Sequence, residues 1–321
     1  MSIVAVTGAT GFIGRQLLEQ LCRRPERAVR ALAHGTVETQ LPQRERLMWV
    51  RGDLADTASL SALLEPGCNL IHLAFPERWS RKDHLGATAR LATTAAEIGV
   101  RRVLHCSTAV VAGRAPEQRV TEETLPRPTT EYELTKLEIE NAWREHCGNR
   151  VELVILRPTV VFGPGGRNLL KLVEALTTGS RLVNYLRSSL FGRRRMNLVP
   201  VQNVVAAFEF LLDLPRPLNG EVFIVSDDED LLNNFRDVER RLMDGLAIHD
   251  YLAPPFPVPR LVLSGALALA GRFNTDPGRF YDGQKLARAG FTRKPYSLDR
   301  GLREFATWIA SGRPKIQAKT G

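Results

Sequence analysis

Short apolar runs rich in β-branched residues recur through the first half of the chain, at residues 3–6, 28–33, 47–50, 69–73, 103–106 and 151–156. Runs of this length bounded by turn residues read as strands buried on both faces. Between them lie longer mixed stretches, such as 16–24, 59–64 and 87–98, long enough to serve as crossover helices. Strand and helix in alternation specify a parallel sheet covered on both sides, so the pattern predicts an α/β fold with a doubly wound parallel sheet.

From Pro158 onward the pattern loosens. Glycine and proline cluster in Gly163-Pro164-Gly165-Gly166 and again in Pro254-Pro255-Phe256-Pro257, with one more strand-like run at 221–225. The expectation is a Rossmann domain over 1–160, to which the chain returns at about 198–226. Residues 161–321 then form mainly a smaller, irregular substrate-binding lobe that ends in a frayed basic tail. An apolar run at 261–270, bracketed by Arg260 and Arg272, is shorter than the ~20 residues a bilayer span needs. It reads as a buried or substrate-capping helix, and no membrane span is expected.

With 321 residues, 44% hydrophobic and 25% charged, the chain can bury a substantial core. Its net charge of +9 and pI near 9.8 raise the question of nucleic acid. The basic residues are interspersed with 35 acidic ones and form neither an aromatic-studded patch nor a zinc-finger spacing, so an anionic small molecule is the better partner. Cys22, Cys68, Cys106 and Cys147 are scattered without metal or redox spacing, and no metal site is expected. The first strand begins at Ile3, leaving no room for a signal peptide, and a reducing, cytoplasmic location is inferred.

Two motifs carry chemistry. The first is Thr7-Gly8-Ala9-Thr10-Gly11-Phe12-Ile13-Gly14, between the first strand and the first helical stretch. Three glycines at a strand-to-helix turn let the backbone approach a pyrophosphate at a helix N-terminus. Their Gly-x-x-Gly-x-x-Gly spacing differs from the tighter Gly-x-Gly-x-x-Gly fingerprint of dinucleotide sites. The second is Tyr132-Glu133-Leu134-Thr135-Lys136, in which a phenol and an ammonium four residues apart share one helix face. A lysine beside a tyrosine favours the phenolate, which predicts a pKa lowered from about 10 and a residue able to exchange protons at neutral pH. Thr130 and Glu133 have capping-box spacing, which starts the helix just before Tyr132.

In order along nearly the whole chain, these motifs are joined by Gly52-Asp53-Leu54, His72-Leu73-Ala74, Ser107-Thr108, Leu156-Arg157-Pro158 and Phe162-Gly163-Pro164. Asp282-Gly283-Gln284-Lys285-Leu286-Ala287 and Gly290-Phe291 follow near the end. Taken together they resemble the extended short-chain dehydrogenase/reductases of the NAD-dependent epimerase/dehydratase superfamily. The resemblance implies a Thr108, Tyr132 and Lys136 catalytic site. Tyr132 would move the proton of a carbonyl or alcohol during hydride transfer, Lys136 would hold the nicotinamide ribose, and Thr108 would bind the reacting oxygen, with Ser107 as its neighbour on the substrate side. Cofactor contacts would come from Gly8, Thr10, Gly11, Phe12, Ile13, Gly14, His34, Asp53, Leu54, Ala74, Tyr132, Lys136 and Pro158.

An acidic residue at the end of the second strand would repel a 2′-phosphate. Here the strand ends in His34, with Arg15, Arg30, Arg44 and Arg46 available, and NADP is expected, with NAD as the alternative. The acidic pair that follows the threonine in the family's 4,6-dehydratases is replaced by Ala109 and Val110, which disfavours dehydration. His84 stands where the resemblance expects asparagine. Arg194 and Arg195, in the Arg193-Arg194-Arg195 triplet, are candidates for a substrate phosphate, and Arg272 and Arg279 are further ones. The expected activity is that of an oxidoreductase or epimerase acting on a secondary alcohol or ketone of a nucleotide sugar. An NADPH-dependent reductase of an apolar ketone and a non-catalytic dinucleotide-binding sensor are the alternatives. A homodimer through the helices around 87–98 and 132–143 is also implied.

Overall fold

The computed structural model describes residues 2–35, 43–256, 278–292 and 296–312, together with Val258 and Gly265. Apart from Gly265, the apolar run at 261–270 lies outside the described residues, as do Arg272 and the end of the chain beyond Gly312.

The chain begins with β1 (Ser2–Thr7), α1 (Phe12–Leu21), β2 (Arg27–Ala33), β3 (Leu47–Arg51), α2 (Thr57–Leu63), β4 (Asn69–His72), α3 (Arg81–Ile98) and β5 (Arg102–Cys106). It continues through β6 (Arg119–Val120), α4 (Glu131–Cys147), β7 (Glu152–Pro158), β8 (Val160–Phe162), α5 (Leu170–Thr178), α6 (Arg181–Phe191), β9 (Leu198–Pro200), α7 (Val201–Asp213) and β10 (Glu221–Val225). The last described elements are α8 (Phe235–Gly245), β11 (Phe280–Tyr281), α9 (Gln284–Arg288) and α10 (Leu298–Ala310).

Seven strands form one parallel sheet in the order β10-β7-β5-β4-β1-β2-β3. The chain winds outward from β1 in both directions, so the switch point lies between β1 and β4, where a doubly wound sheet opens a crevice at its C-terminal edge. Alternation along β1 sends Val4 and Val6 to the face covered by α1 and α7, and Ala5 to the face covered by α2, α3 and α4. The edge strand β10 brings the chain back to the main sheet beside β7.

Helix starts follow capping chemistry more closely than apolar periodicity. The α3 helix begins at Arg81, six residues before the expected 87, because Ser80 and Asp83 make a reciprocal capping box. The α4 helix begins at Glu131 under the Thr130 and Glu133 box, which puts Tyr132 in its first turn as the spacing predicts. Its other end is as well defined, since Arg144 and His146 lie in the last turn, where they favour the negative end of the helix dipole.

Beyond β8 the structure departs from the expected irregular lobe. Among the described residues there, α5, α8 and α10 pack around Phe162, Val238, Leu242 and Phe305. The glycines and prolines that obscured this order belong to the connections. Helix α10 starts at the Ser297 cap and buries Leu298, Leu302, Phe305 and Ala306 on one face.

Candidate active site

The glycine loop sits at the switch point, where β1 runs into α1. Gly8 has φ +71, and a Cβ there would lie 2.6 Å from the Ala74 nitrogen, so the loop and the end of β4 touch backbone to backbone. At Gly14 a Cβ would lie 2.2 Å from the Gly8 carbonyl oxygen. Gly11 caps α1 without a side chain, and no acidic residue occupies the first turn. The N–H groups at that terminus are therefore left facing the loop, the arrangement that favours an anion. Gly163, Gly165 and Gly166 close over Phe12 from the other side; a Cβ on Gly166 would lie 2.8 Å from its ring.

At the far end of the crevice a cavity of about 450 Å³ is lined by His34, Arg51, Asp53, Asp56 and Ser59 among others. His34 Nδ1 lies 3.3 Å from Asp53 Oδ2. Arg30, counted among the available cations, is drawn away to an ion pair with Glu65 and a bond to the Ala62 carbonyl. Leu54, expected among the cofactor contacts, packs its side chain into the core with Leu60 and Leu63.

Thr108 follows β5 and caps a short 3-10 turn, Ala109–Ala112. Its hydroxyl accepts from the Val110 N–H at 3.4 Å and lies near the phenol of Tyr132, which projects toward it from the first turn of α4. Tyr132 leaves 46% of its surface open, and its ring meets Phe75 edge-on at 5.4 Å. The expected depression of its pKa is not found. Protein around the hydroxyl desolvates the anion and pushes the pKa up to about 12, with Cys106 adding to the rise and the Thr108 hydroxyl opposing it.

Lys136 explains the difference. Its Nζ donates to the Cys106 carbonyl at 3.2 Å and stands 4.3 Å from the centre of the Phe75 ring, so its charge is spent on β5 and the ring. Burial lowers its own pKa, against the pull of Cys106 and Glu140. Phe75 stacks on His84 at 4.1 Å with the rings 11° from parallel, and Trp79 lies 5.5 Å from His84. An aromatic wall therefore lines the side of the cleft facing Tyr132. Only His84 within it was singled out by the sequence, as a departure from asparagine.

Ser107, expected on the substrate side, directs its hydroxyl into the interior. It is buried and donates to Glu140 Oε1 at 2.5 Å. Glu140 is fully buried and receives Arg157 Nε at 2.9 Å and Nη2 at 2.7 Å, a bidentate pair that ties α4 to β7. Pro158 follows Arg157 at the end of β7, opposite Val225. The basic candidates separate in the same way. Arg195 donates to the Asp228 carbonyl at 2.5 Å and lies 5.0 Å from the Phe280 ring, and Arg279 donates to the carbonyls of Gly113 and Ala115 at 2.6 and 3.0 Å. Arg194 lies 5.6 Å from the Phe191 ring. Internal carbonyls thus hold Arg195 and Arg279, and neither is placed by the structure on a substrate phosphate.

The family model described as NAD dependent epimerase/dehydratase family matches residues 4–226. A UDP-glucose 4-epimerase of Vibrio cholerae is 26% identical over 246 residues, 71% of each chain. A decarboxylating sterol-4-alpha-carboxylate 3-dehydrogenase of Candida albicans is 25% identical over 277 residues, 79% of each chain. Among solved structures, the Bordetella bronchiseptica enzyme WbmH in complex with NAD+ superposes with a TM-score of 0.74 at 18% identity, covering 97% of this chain and 99% of that one.

Proposed function

The chain belongs to the NAD dependent epimerase/dehydratase family, and from that premise we propose an oxidoreductase or epimerase that moves hydride at a carbon bearing a secondary alcohol or ketone. The observation that carries the reading is the Tyr132 phenol, close enough to the Thr108 hydroxyl to interact with it and open to the cleft. The glycine turn fits a dinucleotide, since Gly8 and Gly14 let it pack tightly against Ala74 and Ala9 while the α1 terminus, capped by Gly11 without a side chain or a nearby carboxylate, leaves N–H groups for a pyrophosphate. Gly8, Thr10, Gly11, Phe12, Ile13 and Gly14 would hold the pyrophosphate, and His34, Asp53, Ala74 and Pro158 the remainder. When bound, the nicotinamide supplies or accepts the hydride.

The chain's own part is proton transfer and orientation. Thr108 fixes the phenol and offers a second hydrogen bond to the reacting oxygen. Tyr132 with a raised pKa holds its proton at neutral pH, which suits donation to the oxygen of a ketone undergoing reduction. Lys136, anchored on the Cys106 carbonyl, carries the buried positive charge that would meet the ribose hydroxyls. The Phe75, Trp79 and His84 wall excludes water from one side of the reacting carbon.

NADP is the proposed dinucleotide, supported by His34 in place of a carboxylate at the end of β2; NAD is the alternative, and Asp53 in the same cavity is what favours it. The cell interior is the proposed location, in keeping with four free cysteines, three of them buried. Among the described residues no helix is long and apolar enough to cross a membrane. A homodimer through α3 and α4 completes the reading.

A nucleotide-activated sugar is the proposed substrate, supported by the likeness to a UDP-glucose 4-epimerase and by Arg194 near β9. A second reading, reduction of an apolar ketone, is favoured by the aromatic wall and by the internal commitments of Arg195 and Arg279. Denaturing the purified protein and identifying any released nucleotide separates retention, expected of an epimerase, from release, expected of a reductase. Turnover with NADPH or NADH on UDP-sugars and on a sterol or flavonoid ketone then selects the substrate. No turnover and no thermal shift with any pair would refute the enzymatic reading in favour of a dinucleotide-binding sensor.

A further inference from the structure

Helix α6 is inside out. Its buried residues are polar: Asn184, whose amide donates to the Ala175 carbonyl at 2.5 Å, and Ser188 and Ser189, whose hydroxyls have no hydrogen-bond partner among the described residues. Its exposed residues include Leu182 at 67%, Leu186 at 49% and Val183 at 44%. Leu252 and Phe256, on the segment beside it, are also exposed, and Tyr185 joins the two through a bond to the Pro254 carbonyl and ring contacts with Tyr251 and Phe256. A helix on the surface of a water-soluble domain turns the opposite face outward.

The charge along α6 itself has one sign. Residues 175–208 contain five arginines and no acidic residue. Arg187 and Arg193 are exposed beside the apolar side chains, and Arg181 is exposed at the start of the helix, donating to the Asp250 carbonyl. The carboxylate of Asp250 is itself occupied by Arg236 at 2.6 and 2.8 Å. Leucine, valine and phenylalanine pointing outward beside the exposed Arg187 and Arg193 is the chemistry of a helix lying at a lipid headgroup interface, apolar side chains in the acyl boundary and guanidinium groups among phosphates. A second copy of the same face would set arginine against arginine.

We propose that α6 and residues 251–256 form a docking face for an anionic lipid bilayer, through which the protein binds a membrane peripherally. The proposal is independent of the substrate. The test is flotation of the full-length protein with phosphatidylcholine vesicles and with vesicles containing 30% phosphatidylglycerol, at ~0.1 M and ~0.5 M salt, where screening lengths differ about twofold. Expected is binding to the anionic vesicles only, weakened at high salt, and reduced at least tenfold in Leu182→Glu/Leu186→Glu and several-fold in Arg187→Ser. Both variants should keep the wild-type melting temperature and dinucleotide affinity. Equal binding to neutral and anionic vesicles, or wild-type binding by the double glutamate variant, would overturn the proposal. So would absence of vesicle binding with a dimer that the glutamates dissociate, which would assign the face to a second copy.

Discussion

In the proposed reaction Tyr132 acts as an acid. Its pKa is raised to about 12 by desolvation, so the phenol stays protonated across the neutral range and loses its proton only in strong alkali. Ketone reduction should therefore stay level from pH 6 to 9, whereas oxidation of the alcohol, which needs the phenolate, should rise about tenfold per pH unit over the same range. A pH–rate profile in both directions checks this, and parallel profiles would place the proton elsewhere. Tyr132→Phe should lower kcat by roughly 10²- to 10⁴-fold while dinucleotide binding, followed by fluorescence titration, persists. Glu140 is a different kind of residue. It receives Arg157 and Ser107 in a fully buried site, so Glu140→Ala leaves an uncompensated guanidinium in the core and should cost about 3–5 kcal/mol in urea unfolding.

At the level of elements, β4 and β5 bring His72 and His105 side by side in register, with their rings stacked at 5.3 Å against Trp143. Thr7 Oγ1 lies 2.6 Å from His72 Nδ1, linking β1 to the pair. Burial drives the pKa of His72 down to about 3 and that of His105 well below its ordinary value; Lys136 pushes both the same way. His84 on α3 is lowered too, by burial and Lys136. These groups are neutral when folded but protonate near 6.5 when unfolded. Their contribution to stability is therefore complete above pH 6.5 and is lost as pH falls toward the folded pKa values, by up to about 1.4 kcal/mol per pH unit for each histidine. Melting temperature should drop steadily between pH 6.5 and 4.5, and His72→Asn should flatten the slope. The same strands show what local sequence conveys. Apolar runs marked β1 to β5 because parallel strands are buried on both faces, and the Thr130 box located α4. The helices α5, α6 and α8 were missed, because proline, glycine and arginine in and around them hide an apolar period completed only by partners distant in sequence.

For the whole molecule, the face of α3 and α4 away from the cleft carries a depression of about 780 Å³ in which Gly86, Ala89 and Ala142 lie between Arg90, Glu138 and Glu145. Small residues flanked by both signs of charge suit a second copy, so the protein should elute as a dimer and Ala89→Arg as a monomer in light-scattering chromatography. The sequence alone determined the sheet, the glycine turn between β1 and α1, and the placing of Tyr132 and Lys136 on one helix face, because strand burial, glycine geometry and helical spacing act over a few neighbouring residues; Thr108 was reached through the family resemblance. Only the tertiary structure decided where charge goes. It sent Lys136 to the Cys106 carbonyl rather than to the tyrosine, Ser107 to Glu140, and Arg195 and Arg279 to internal carbonyls. The partner of a long polar side chain, and the solvent left around a phenol, depend on segments brought together from 30 to 166 residues away, and no local pattern encodes them.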